Sequence, residues 1–101
     1  MLRIVERLAG EGRVVSGGRE LTRSGYTLSV YREWQPLGGT LVPGGFVLEG
    51  HLHVTPDVLA ALEGRGDLWL ALDDGRGFPF YLVSPDGALA GADGEGLRPP
   101  S

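Results

Sequence analysis

The chain has no cysteine and no lysine, one methionine and two histidines in 101 residues. Without cysteine there is no disulfide framework, no thiolate nucleophile and no zinc site of the cysteine type. Without lysine there is no Walker-type phosphate loop. The cationic side chains are all arginine, nine of them, and no segment gathers them. Thirteen carboxylates outweigh them to a formal net charge of -4, so nucleic acid is not the favoured partner, since its affinity rests on many cationic phosphate contacts. The missing lysine and scarce isoleucine read as codon bias rather than chemistry. No apolar run approaches membrane-spanning length, and Arg3, Glu6 and Arg7 break the stretch where a signal sequence would need its apolar core. The expectation is a cytoplasmic protein with no membrane partner.

What is plentiful is glycine, eighteen residues, with seven prolines. That balance suits many short strands joined by tight turns and disfavours a helical bundle. A chain of this length buries roughly two-thirds of its unfolded surface, enough for one domain with a single modest core. The stretch from Phe46 to Val83 reads without a break as strand, short helix, strand, turn, strand. Apolar side chains alternate with polar ones, the mark of a strand with one buried face: Phe46, Leu48, Leu52 and Val54 against Glu49, His51 and His53, with Gly50 between. Leu68, Leu70 and Leu72 continue the core, then Phe78, Phe80 and Leu82. Thr55-Pro56-Asp57 starts a helix with a hydroxyl cap, a proline whose missing N–H is no loss in the first turn, and a carboxylate at the positive end of the dipole. Its stripe is Val58, Leu59 and Leu62, and Gly64 ends it. Asp73-Asp74-Gly75 turns the chain into a hairpin.

Elsewhere, residues 2–8 alternate weakly and read as an ambiguous strand, and Gly10-Glu11-Gly12 reads as a turn. Arg13 to Val15 is a short strand and Gly17-Gly18 a hairpin or bulge. Tyr26 to Trp34 is a strand with Tyr26, Leu28, Val30 and Trp34 on one face and Arg32 as its one polar intrusion. Gln35 to Gly45, with Pro36, Gly38-Gly39 and Pro43-Gly44-Gly45, reads as a loop. Ser84-Pro85-Asp86-Gly87 is a tight turn, and Ala88 to Ala90 adds an edge strand. Residues 1–90 are therefore expected to form one domain, and residues 91–101, with almost nothing to bury, a flexible tail. The predicted fold is mainly β: a small, partly closed barrel or sandwich of about six strands, SH3-like or OB-like, with the one short helix between two strands plugging an end.

Glu49-Gly50-His51-Leu52-His53 is the single arrangement with metal-ligand spacing, since period two sets the carboxylate and both imidazoles on one strand face. With Gly45 before it, and Asp57 and Gly64 after it, this stretch resembles the first cupin motif over about twenty residues. The resemblance implies a metal-binding barrel with His51, His53 and Asp57, which stands where the family has glutamate, as ligands. The family's second motif needs a later histidine, and none follows His53. Cupin ligands also point inward, whereas here that would expose Phe46, Leu48, Leu52 and Val54. The adopted reading is a solvated polar face, with no metal and no cofactor expected.

Other chemistry fares no better. Asp73 and Asp74 are adjacent on a turn and do not converge as an acid and base, Gly75-Arg76-Gly77 opens no helix for a phosphate, and no Gly-x-Ser-x-Gly elbow occurs. The face opposite the core of the last hairpin carries Trp69, Ala71, Tyr81 and Val83, with Pro79 at its margin and Tyr31 extending it from another strand. The helix stripe, the N-terminal segment or another chain is expected to cover this face. The leading expectation is a non-catalytic interaction module, a homodimer or the partner of another protein, using Trp69, Tyr81, Val83 and Tyr31. The first alternative is the cupin-like metal protein. The second is an OB-like nucleic-acid binder stacking bases on Tyr26, Tyr31 and Trp34 beside Arg32.

Overall fold

Three long antiparallel strands carry the computed structural model, which describes residues 1–100: β1 (Leu2–Ser16), β2 (Arg19–Leu37) and β3 (Thr40–His53). Two hairpins join them, each turning on a glycine pair with both φ angles positive, 59° and 79° at Gly17 and Gly18 and 60° and 82° at Gly38 and Gly39. That backbone suits the twist of the flanking strands, and glycine alone adopts it without strain. Helix α1 (Pro56–Leu62) follows, then three short strands, β4 (Leu68–Ala71), β5 (Gly77–Leu82) and β6 (Ala88–Gly91). All neighbours are antiparallel and the sheet closes on itself in the order β1-β2-β3-β6-β5-β4. Three strands of 15, 19 and 14 residues cannot be matched along their length by strands of 4, 6 and 4. The ring is therefore uneven. One half of the long strands belongs to a barrel, and the other half, residues 1–7, 30–37 and 40–47, runs on as a ribbon, which makes the molecule 50 Å long but only 29 by 22 Å across.

The core is built by the alternation expected from sequence. Leu48, Leu52, Leu68, Leu70, Leu72, Phe78 and Phe80 are buried with Val14, Tyr26, Leu28, Val30 and Leu89, and Phe46, Val54 and Leu82 pack against them. Gly50 interrupts the series because a Cβ there would lie 2.0 Å from the Thr27 carbonyl oxygen. Leu59 and Leu62 of α1 join this core and Val58 packs on it, so the helix stripe is spent inside the barrel. Thr55 stands at the N-cap as expected, but its hydroxyl makes no capping bond, leaving Pro56 and Asp57 as the favourable features of the first turn.

Three readings are corrected. Gly10-Glu11-Gly12 does not turn; β1 passes straight through it, paired with Tyr26, Gly25 and Ser24. These glycines answer close approach instead, since a Cβ on Gly12 would meet the Ala71 carbonyl at 2.5 Å and one on Gly10 the Asp73 carboxylate at 2.6 Å. Residues 35–45 are not a loop but the tip of the β2–β3 hairpin, with Trp34 opposite Pro43 and Pro36 opposite Leu41. Proline is tolerated because both lie where their strand has a single neighbour, so no ladder bond need be lost.

The third correction concerns the stretch expected as a flexible tail. Residues 92–98 form a strap across the ribbon-side mouth of the barrel, held by main-chain bonds: Ala92 N–H donates to Pro79, Phe46 N–H to Gly94, and Gly77 and Arg98 exchange a pair. Leu97 packs against the core, and Gly96 lies so close to the Phe46 ring that a Cβ would stand 2.8 Å from it. Ser101 lies outside the described residues. The barrel thus has a helix over one end and a strap over the other.

Candidate interaction surfaces

The register fixes which side chains meet on the outside of the ring. Ala9, Thr27, His51 and Ala88 are successive partners across β1, β2, β3 and β6, and Val83 adjoins through its bond to Ala88. The next row holds Arg7, Ser29, Glu49, Ala90 and Tyr81. Small side chains in the middle of both rows leave an open groove of about 690 Å3, bordered by Arg7, Glu49, His51 and Val83. Leu48 and Leu52 are buried while Glu49, His51 and His53 are exposed, so the imidazoles point out of the barrel. His51 Nε2 stands 3.8 Å from Asp86 Oδ2, and His53 Nε2 lies 3.5 Å from the Thr27 hydroxyl. Among the described residues no group of three His, Asp or Glu side chains converges to hold a metal ion. Asp57, the third residue of the cupin-like spacing, is in the first turn of α1.

The four aromatic and aliphatic candidates do not form one patch. Tyr81 and Val83 are neighbours on the outer surface, 46% and 55% exposed. Trp69 is half-buried on the neighbouring strand β4, opposite Pro79: its indole lies across Gly77, where a Cβ would be 2.4 Å from Nε1, and the Arg98 guanidinium sits 6.0 Å from its ring. Its cover therefore comes from the strap and not from α1. Arg98 is itself fastened by Asp93 at 2.7 Å and Glu95 at 2.9 Å, and the guanidinium holds the Asp93 carboxyl below its usual range. Tyr31 lies on the ribbon between Ile4 and Val47, separated from Tyr81 by β3 and β6.

The side chains of a base-stacking platform are likewise divided. Tyr26 is buried with its hydroxyl donating to Asp73 at 2.6 Å, Arg32 lies 4.3 Å from the Phe46 ring and donates to the Gly44 carbonyl, and Tyr31 faces the other way. Arg32, the polar intrusion in the sequence pattern, is thus accommodated by an aromatic face and a carbonyl. Burial, then the bond to Asp73, pushes the Tyr26 phenol up to about 12.

At the β4–β5 turn, Arg76 makes a two-pronged contact with Glu6 at 2.9 and 3.0 Å and bonds Asp74 at 2.7 Å. This clamps the turn onto β1, and the hydrogen bonds from Arg76 hold the Glu6 and Asp74 carboxyls below their usual range. Asp73 and Asp74 thus have separate structural partners.

Sequence reasoning missed the ribbon. Among the described residues ten large apolar side chains are exposed, and seven of them, Met1, Leu2, Ile4, Val5, Leu37, Leu41 and Val47, sit on it. The signal was present as the weak alternation of Leu2 and Ile4, which pairing with Glu33 and Tyr31 now makes a strand. The fold and its surfaces define a small six-stranded antiparallel ring with a protruding three-stranded ribbon. Comparison with protein-family models, curated proteins and solved structures finds no match for the chain.

Proposed function

We propose that this is a non-catalytic β-barrel module that works by protein contact and associates with itself. The observation that carries the reading is the concentration of exposed apolar side chains on the ribbon. Scattered surface leucines need no explanation, but contiguous ones mark contact surfaces. The outer face there presents Ile4, Tyr31 and Val47 in one row, an aromatic flanked by aliphatics. Tyr31 keeps its place among the contact residues, Tyr81 and Val83 form a separate border of the groove, and Trp69 serves the strap.

Light scattering over a concentration series tests it. The mass should rise from the 10.7 kDa of one chain toward twice that value. A mass that stays at one chain throughout, with no change on replacing Ile4 or Val47 by aspartate, would refute self-association.

A further inference from the structure

The ribbon has two outer edges, and they are treated differently. On β3, residues 40–47 have no neighbour beyond β2, but Pro43 interrupts that edge and Phe46 N–H is taken by Gly94 of the strap. Proline and covering segments are the ordinary means by which a sheet edge is kept from pairing with another chain. On β1 the barrel end is paired with β4 at residues 13–16, and the clamp of Arg76 on Glu6 brings the β4–β5 turn over the middle. Ahead of the clamp, residues 2–4 carry neither proline nor cover.

Main-chain geometry says what this window offers. Met1 and Trp34 exchange two hydrogen bonds, at 2.8 and 2.9 Å, so they are a bonded pair of the antiparallel ladder. Alternation then turns the N–H and C=O of Leu2 and Ile4 away from β2 and toward the open edge. Both side chains are half-exposed, 52% and 46%. The β-bulge between Ile4 and Glu6 ends the window.

We infer that the β1 edge at Leu2 to Ile4 is the site at which a second copy of this chain adds its own β1, antiparallel and about a two-fold axis. This rests on the self-association proposed above and names its geometry. An open row of main-chain donors and acceptors is complementary to an extended strand, and a two-fold contact requires one edge to complement itself. With Leu2 of one copy opposite Ile4 of the other, roughly four main-chain bonds form, and each apolar residue meets an apolar partner. Arg3 is the residue that meets its own counterpart. Its guanidinium is drawn 5.9 Å from the Trp34 ring, toward β2 and away from the edge. The two ribbons join into a six-stranded sheet whose outer face carries the Ile4, Tyr31 and Val47 row twice. The bulge stops the pairing from extending, so the product is a closed dimer and not a fibre.

The chain's lack of cysteine makes the test direct. Arg3→Cys and Val47→Cys are each oxidised mildly above the concentration at which light scattering shows the dimer, and covalent dimer is read on a non-reducing gel. A disulfide needs Cα atoms within about 7 Å, which edge pairing gives at Arg3 and denies at Val47, two strands inward. The expected result is most of the Arg3→Cys protein cross-linked and Val47→Cys left as single chains. In parallel, amide exchange at Leu2 and Ile4 of the unaltered protein should slow several-fold as concentration rises. Cross-linking at Val47 with none at Arg3, or a dimer by mass with unprotected Leu2 and Ile4 amides, would overturn the edge while leaving self-association standing. A single-chain mass at every concentration would remove both.

Discussion

Replacing Gly96 by alanine tests whether the strap is seated as a structural part of the barrel. Gly96 has φ of +77°, and an added Cβ would stand 2.8 Å from the Phe46 ring. Gly39 supplies the control, with φ of +82° and nothing within 4 Å of the same Cβ. A side chain held in the left-handed region costs ~1–2 kcal/mol at either position. Forcing a methyl into a packed contact adds ~1–3 kcal/mol at Gly96 alone. Gly39→Ala should therefore lose about 1–2 kcal/mol and Gly96→Ala about 2–5 kcal/mol. Urea unfolding followed by tryptophan fluorescence measures both, and the denaturant slope should hold for Gly39→Ala but fall for Gly96→Ala, where a lifted strap leaves less surface to expose on unfolding. Trp69 gives a second signal, because lifting the strap takes Arg98 off its ring and shifts its emission to the red. Equal losses at the two glycines, with unshifted Trp69 emission, would show that the strap lies loosely and would refute the reasoning.

Tyr26 should make the fold alkali-sensitive: its folded phenol sits at about 12 against an ordinary 10.0, so its contribution is complete below pH 10 and is lost as pH rises through 12. Stability measured across that window should fall, and Tyr26→Phe should flatten the fall; an unchanged slope would refute the assignment. Glu6 and Asp74 work in the opposite sense, since their carboxyls are held low by Arg76. Their contribution is present above the ordinary carboxylate range and lost as acid protonates them, so Glu6→Gln should lower stability near neutrality by at most about 1 kcal/mol, the pair being partly exposed, and reduce its dependence on acid. Urea midpoints for wild type and variant at neutral and acidic pH check this, and an equal deficit at both would count against the ion pair. Addition of divalent nickel or zinc should leave the melting temperature unaltered, because among the described residues no third ligand converges on His51 and His53; a stoichiometric rise abolished by the double alanine variant would restore the cupin-like reading.

Alternation made the barrel interior legible. Leu48, Leu52, Leu68, Leu70, Leu72, Phe78 and Phe80 point inward because burying one strand face is a local decision repeated every second residue. Glycine was harder to read, since the same residue serves a turn at Gly38-Gly39 and a close approach at Gly12, and the difference lies in a carbonyl on β4 far away in sequence. The strap left almost no mark. Its one large apolar residue is Leu97, and its hold on Phe46, Gly77 and Pro79 is through main-chain bonds that no side-chain pattern encodes. The outward face of Tyr81 and Val83 was readable from period two, but its relation to Tyr31 depended on strand order, which a single strand does not carry.

The strap also sets an order of assembly. Closing the ring already joins residues 13–16 of β1 to 68–71 of β4, a contact that must wait for most of the chain. Residues 92–98 follow all six strands, and only when Arg98 reaches Gly77 does Leu97 enter the core and Trp69 lose its open side. A chain emerging from a ribosome therefore holds a ring with one mouth wet until residues 92–98 arrive. The ribbon, built from two local hairpins, stands complete long before, its β1 edge already open to pairing while the barrel beside it is still unfinished.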